Sequence, residues 1–553
     1  MEKSTVDALD PLVNFLSDPL VSSLFASHPN DLGSASFQPP DEWDTWWSWA
    51  AGGSQHEDTS DGDELWTLLI RYYDFCRSSD ATTREDEGER LPEPFQAIPP
   101  SLRSLIGTAS HVAVNREPGH VIYLPSACGV SQSHARRLNS RPREGLEGIA
   151  AHSLRGMSPK KAHEVVQMSS FIADLKRDCA SLSDVDRVVD VGAGQGYLSR
   201  ALRDQLGLHV LALDYSDIQT QGAAKRDAPA KHKRKPGPGR SKGPSTITQT
   251  IHHADAAGRP QDANEDAGTQ RGSLTYVTAK IDANTLREAT RAWVETDSTD
   301  SDRRRSQDQA GHTPKPILFA ALHACGSLTP DILRAFATQH NAAPSPASWT
   351  PRAAVVVGCC YNMLRPEDVP LSRGLRARIA LNPNHLQLAA QVPAQWMRSE
   401  NTARDARLAL RKVVWRALVE DVLHPPPALA ESSRGEPGGT AGRRTQRLGR
   451  LNDAAYADWE TFAGRVRTKL GLREGALGRA DRATERRIEV FHTLRCIVGP
   501  VVESLIMLDR AVWLEEELQG TGLRIELLNL FDQASGSGRN VAIVLLPDDR
   551  TRE

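Results

Sequence analysis

The sequence predicts an α/β protein. It has a mostly parallel seven-stranded sheet whose last strand runs antiparallel, an N-terminal helical region, and a large helical insertion after the fifth strand. Two stretches carry this reading. Val188-Val189-Asp190-Val191 is an apolar strand that runs into Gly192-Ala193-Gly194-Gln195-Gly196, a turn of alternate glycines in which backbone can closely approach a small molecule. At the far end of the chain, an amphipathic helix over roughly 491–518 leads into a strand, a short polar loop over 533–539 and a final strand. A dinucleotide fold would end instead on parallel βα units.

Apolar runs place the seven strands at 188–191, 210–213, 274–278, 317–322, 355–357, 524–530 and 541–546. The sequence divides into residues 1–150, mostly helical; 151–365, the core, with polar low-complexity insertions at about 223–273 and 296–315; 366–490, the helical insertion; and 491–553, the last helix and closing hairpin. The insertion follows a strand at the carboxyl edge of the sheet, where ligands bind in open α/β folds, so it is expected to cover the site or select the substrate, with plain packing as the alternative. Tryptophans 43, 46, 47 and 49 read as one side of a small helical core rather than a stacking platform for bases.

Composition sets limits. The 553 residues suffice for several domains, and 39% hydrophobic content supplies at least one substantial core. The formal charge of −3 argues neither for nor against a nucleic-acid partner, so any basic binding surface must be local. The run 225–242, rich in Lys and Arg, fits phosphate tracking, nuclear import or a solvated loop, and Arg303-Arg304-Arg305 and Arg443-Arg444 carry the same ambiguity. Seven scattered cysteines suit a reducing compartment. The N-terminus shows no signal-peptide pattern, and no apolar run approaches a membrane span, so the expectation is an intracellular protein, cytoplasmic or nuclear, without a membrane partner.

The dinucleotide fingerprint requires a third glycine at the position occupied by Tyr197, which argues against a nicotinamide dehydrogenase. The loop is instead similar to the opening of class I S-adenosylmethionine (SAM) methyltransferases. An acid at the end of the next strand should accept from a ribose diol, and Asp214 stands there. Ser158-Pro159 starts a helix with Val165, Met168, Ile172 and Leu175 on its buried face, and Lys160, Lys161 and Glu164 lie in its first turns. In methyltransferases such a helix often lies over the methionine end of the cofactor; a Lys160–Glu164 surface pair is the alternative. The cofactor candidates are therefore Lys161, Glu164, Asp190, Gly192, Gly194, Gly196, Tyr197, Asp214 and His323.

Several further blocks fall in a fixed order: residues 156–165, the 188–198 loop, Leu322-His323-Ala324-Cys325-Gly326, Gly358-Cys359-Cys360-Tyr361, Leu508-Asp509-Arg510 and Ser537-Gly538-Arg539-Asn540. In this the chain resembles the methyltransferase-like protein 25 family, which includes a protein labelled a ribosomal RNA adenine dimethylase domain-containing protein. The resemblance implies a SAM-dependent methyltransferase with RNA or protein as substrate. Ser327 stands where the family commonly has aspartate, and Asn362 where histidine is frequent; a binding scaffold without catalysis is the alternative these departures motivate.

His323, Cys325, Cys359 and Tyr361 are the catalytic candidates, because the fourth and fifth strands are neighbours in this fold and their ends face one place. A Cys325 thiolate would suit addition to a pyrimidine, although the Pro-Cys usual for that chemistry is absent. A metal site is not expected: adjacent residues of a strand point to opposite faces, which separates Cys359 from Cys360, and small apolar core residues are the plainer reading of the pair. The fourth-strand turn lacks the Asn/Asp-Pro-Pro-aromatic pattern that holds an exocyclic adenine amine, so adenine N6 is disfavoured. Ala324-Cys325-Gly326 and Cys359-Cys360-Tyr361-Asn362 are instead similar, over a short stretch at equivalent places, to the Leu-Cys-Gly and Cys-Cys-His-His of a family of tRNA 2′-O-methyltransferases, which raises RNA as a substrate.

Overall fold

The computed structural model describes residues 5–30, 37–43, 46, 65–78, 91–118, 121–123, 156–227, 251–253, 272–296, 314–342, 348–423, 447–478 and 482–548. Its strands, in chain order, are β1 (Val121–Tyr123), β2 (Arg187–Val191), β3 (His209–Asp214), β4 (Ile251–His253), β5 (Leu274–Thr278), β6 (Lys315–Cys325), β7 (Trp349–Cys359), β8 (Leu523–Asn529) and β9 (Val541–Pro547). They form one nine-stranded sheet in the order β1-β8-β9-β7-β6-β2-β3-β5-β4. The central strands β5, β3, β2, β6 and β7 are parallel. Only β9 is reversed within the predicted seven, pairing antiparallel with both β7 and β8.

All seven expected strands are present, and each is buried along most of its length, as parallel strands covered on both faces must be. The two extra edge strands are corrections to the sequence reading. β1 lies in the region expected to be helical, and β4 inside the expected low-complexity insertion. Each has three residues, too few to show an alternating pattern. The approach to β1 is fixed by Asn529, whose Nδ2 donates to the carbonyls of Asn115 and Glu117 at 2.7 and 2.9 Å. Asn540 works similarly, donating to Arg116 O at 3.1 Å and Phe531 O at 2.9 Å.

The chain divides into two compact units, one of residues 1–9, 115–380 and 505–553 and the other of 10–114 and 381–504. The first unit holds the sheet. One of its cores joins Val165, Met168, Ile172 and Leu175 to sheet residues such as Val188, Val210 and Val355. The helix carrying those four, Pro159–Asp178, is capped by Ser158 Oγ, which accepts from Lys161 N at 3.3 Å. In the second unit the N-terminal helices and the inserted helices share one body: Asn384 Nδ2 donates to Phe25 O at 2.9 Å, and the Phe25 ring stacks on His385 at 4.1 Å. Trp43 is fully buried there with its indole N–H bonded to Ser101, and Trp46 is also buried, which supports the core reading. Residues Trp47 and Trp49 lie outside the described residues, as do 228–242, 303–305 and 443–444 of the basic segments.

The last helix differs from its expected form. It runs from Arg482 to Leu518 and is buried almost all round from Val490 to Val512, so it is a core helix rather than an amphipathic one. Its Thr484–Leu518 stretch is long and apolar enough to cross a membrane, contrary to the reading that no such run exists, and 89% of its apolar window is buried within the protein. Buried Asp509 on this helix accepts from Leu371 N, Ser372 N and Ser372 Oγ at 2.7, 3.0 and 2.7 Å. The Leu-Asp-Arg block therefore anchors the chain leaving β7.

Candidate functional site

The candidate residues gather at the carboxyl ends of β2, β3, β6 and β7. After β2, the amides of Gly192 and Ala193 donate to Leu213 O at 2.8 and 2.9 Å, which ties the glycine turn to the end of β3. Gly194 N–H then donates to Asp214 Oδ2 at 2.9 Å, and Ser216 N–H to Asp214 Oδ1 at 2.8 Å. Each carboxylate oxygen takes one backbone donor and keeps a lone pair for another. Gly194 (φ 54°) and Gly196 (φ 67°) are both left-handed, but their surroundings differ. A Cβ on Gly196 would meet the Tyr276 side chain at 3.0 Å, whereas one on Gly194 would meet nothing within 4 Å. The backbone of Gly194 thus faces open space beside the Asp214 carboxylate.

The surroundings of Asp214 contain groups the sequence reading missed. Tyr215 and Ile218 are 79% and 83% exposed, two large apolar side chains left uncovered directly after the acid. Thr278, in register with Asp214 on the neighbouring strand, has a buried hydroxyl without a hydrogen-bond partner. The available signal was the aromatic residue following the strand-end acid; nothing local marked Thr278.

Two expected cofactor residues also brace the loop. Asp190 is buried and accepts from Ser199 Oγ at 2.5 Å, holding the helix Tyr197–Leu206 to the end of β2. Burial pushes its carboxyl up to about 6, aided by the nearby Asp214 charge and opposed by the Ser199 bond and Lys161. The Tyr197 hydroxyl donates to Gly156 O at 2.9 Å, and the guanidinium carbons of Arg200 and Arg226 lie 5.2 and 5.8 Å from its ring centre. Tyr197 therefore clasps the segment that precedes the Pro159–Asp178 helix.

Glu164 does not form the surface pair with Lys160, the alternative reading. It is 3% exposed, and its Oε2 lies 2.9 Å from both Lys161 Nζ and His323 Nε2. Burial alone would raise this carboxyl, but the His323 hydrogen bond and the Lys161 charge overcome it and hold the group down at about 2. An ionised carboxylate accepts only, so the imidazole donates from Nε2 and presents Nδ1 unprotonated when neutral. The structure thus joins three candidates, Lys161, Glu164 and His323, across 159 residues of sequence.

Cys325 and Cys359 are register partners on β6 and β7, with sulfurs 3.2 Å apart. Donation from Cys359 lowers the Cys325 thiol to about 6, against burial and with help from Cys360 and His323. The same contact with Cys325, together with burial, pushes Cys359 up. The strand-alternation argument against a sulfur cluster fails here. Cys360 has left the strand in the left-handed conformation, φ 51°, which turns its side chain back toward its neighbours. All three sulfurs lie within 4.8 Å of one another.

Tyr361 departs from the expected cluster. It is buried, and its hydroxyl donates to Met507 Sδ at 3.6 Å, so it packs beneath the strand end rather than facing the open site. Ser327 Oγ accepts from Arg365 N at 2.8 Å and Asn362 is exposed; the serine that replaces the family's aspartate has a local structural partner.

Strand order, the reversed β9 and the glycine turn at the end of β2 define a class I, Rossmann-like methyltransferase fold. Residues 160–367 match a family model described as a methyltransferase domain. Two curated relatives, both named "Probable methyltransferase-like protein 25", agree with the family that the sequence blocks resemble. The Mus musculus protein is 24% identical over 540 residues, covering 81% of this chain and 83% of its own length. The Homo sapiens protein is 21% identical over 456 residues, covering 65% and 70%. No solved structure matches the chain.

Proposed function

We propose that the protein is a SAM-dependent methyltransferase with RNA as its acceptor. The observation that carries the cofactor assignment is the Gly194 N–H bonded to the Asp214 carboxylate, with unfilled space over Gly194. The residues fit the group: lone pairs on Asp214 suit a ribose diol, the exposed Tyr215 and Ile218 suit the faces of an adenine, and the unpartnered Thr278 hydroxyl suits a polar edge. Lys161 and Glu164 would meet the charged methionine end. SAM, when bound, supplies a methyl group on a sulfonium.

His323 is the residue assigned to the acceptor. Glu164 holds its Nε2, and Nδ1 makes no hydrogen bond among the described residues, leaving it to take the acceptor's proton. Glu164 acts through His323 and is a positioning residue. RNA is favoured over protein by the likeness of Ala324-Cys325-Gly326 and Cys359-Cys360 to the tRNA 2′-O-methyltransferase pattern, and the lack of an Asn/Asp-Pro-Pro turn speaks against adenine N6.

The test is incubation of the full chain with methyl-labelled SAM and cell extract, followed by ribonuclease or protease. Label released by ribonuclease is expected. Label released only by protease would replace RNA with protein. SAM binding without any label would favour a scaffold, and no SAM binding by calorimetry would overturn the cofactor assignment.

A further inference from the structure

We infer that Cys325, Cys359 and Cys360 form a binding site for one thiophilic d10 cation, Zn²⁺ being the natural occupant, with its fourth position open. The inference does not depend on the SAM reading. It rests on the convergence of three sulfurs within 4.8 Å, a set that neither the glycine loop nor the Glu164–His323 pair uses. Sulfurs around one tetrahedral zinc at about 2.3 Å stand about 3.8 Å apart, so closing this cluster on a metal needs shifts of well under an ångström per side chain. The Cys325–Cys359 gap of 3.2 Å must widen slightly.

The backbone holds the donors in place before any metal arrives. Gly326 N–H donates to Cys359 O at 2.8 Å, and Met363 N–H donates to Cys360 O at 2.8 Å, so the turns after β6 and β7 are fixed to each other and to the cysteines. A Cβ on Gly326 would lie 2.5 Å from Met363 O, which shows how closely these turns pack. Cys360 is the one non-glycine residue at positive φ among the described residues. A side chain held there is strained, and such outliers cluster at functional sites. A disulfide between Cys325 and Cys359 would leave that third sulfur and its unusual backbone without a purpose.

Charge and access agree. Each thiol loses its proton to solvent as its sulfur takes the metal, leaving three thiolates on a dication and a net charge of −1. Cys325 is exposed while Cys359 is buried, so the cluster opens on one side, where water or a substrate atom would complete a tetrahedron.

The experiment purifies the full chain under reductant from zinc-supplemented cells, measures bound metal by atomic emission, and replaces it with Co²⁺. The expected result is one metal per chain, with thiolate-to-cobalt charge-transfer absorption and tetrahedral d–d bands. Cys325→Ser and Cys360→Ser should each weaken zinc affinity at least tenfold while far-ultraviolet circular dichroism stays unchanged. If a variant misfolds, the wild-type cobalt spectrum still decides, because charge-transfer intensity scales with thiolate number. A metal-free wild type without cobalt bands would overturn the site. So would full zinc retention by a folded triple serine variant, or a Cys325–Cys359 disulfide in protein given zinc.

Discussion

Gly194→Ala separates a cofactor loop from a turn that merely lets a helix pack on a sheet. At φ 54° an alanine is strained by about 1–2 kcal/mol, the cost of placing a Cβ in the left-handed region. No clash adds to this, because nothing lies within 4 Å of the new methyl. Gly196→Ala carries the same strain at φ 67° and also drives its Cβ to 3.0 Å from the Tyr276 ring, so its cost should reach about 3 kcal/mol or more. The two variants thus differ in stability, yet the mild one should lose the cofactor. The Gly194 methyl occupies the space beside the Asp214 carboxylate, and SAM affinity should fall at least tenfold, or about 1.4 kcal/mol. Urea unfolding and calorimetric titration with SAM read the two effects on the same protein. Wild-type SAM affinity in Gly194→Ala would refute the assignment of this loop to the cofactor. A stability loss equal to that of Gly196→Ala would refute the reading of the space around it.

Glu164→Gln should cost about 1–2 kcal/mol at pH 7, a figure reduced for the partial exposure of Lys161 and His323. Because this carboxyl is depressed from 4.5 to about 2, its stabilisation is present above pH 4.5 and fades as pH falls toward 2; urea midpoints of the two proteins should converge over that interval, and a constant gap would contradict the ion-pair account. Asp190 has the opposite sign. Raised from 3.8 to about 6, it destabilises the fold progressively as pH climbs through that range, by about 3 kcal/mol at most, and Asp190→Asn should lack this decline; an equally pH-sensitive variant would place the titration elsewhere. Ser327→Ala should lose about 1 kcal/mol by stranding the Arg365 amide while leaving SAM affinity unchanged, and a loss of methyl transfer with SAM still bound would instead give the hydroxyl a chemical role.

The glycine loop, Asp214 and the closing hairpin were legible because their signals are local: an apolar run, a residue type at a fixed offset, a polar turn between two strands. The seven long strands and the capped helix after Ser158 followed from the same patterning. Three-residue edge strands were not legible, since β1 and β4 exist only through pairing with β8 and β5. Asp190 and Tyr197 also brace the loop, and only their partners, Ser199 and Gly156, reveal that structural role. Tyr361 sat beside the cysteines in sequence and yet turned into the packing around Met507.

By itself, the sequence determined a parallel sheet with a reversed last strand and a glycine turn after one of its central strands, because hydrophobic period and glycine placement are properties of a few consecutive residues. Tertiary structure alone decided what surrounds that loop. It brought Glu164 to His323, gathered three sulfurs by giving Cys360 a left-handed backbone, and bonded the Val114 N–H to Ser504 Oγ across 390 residues of sequence within one compact unit. The physical reason is the same in each case. A hydrogen bond or a shared ligand between residues far apart in the chain depends on where whole strands and helices pack, and no local propensity encodes that.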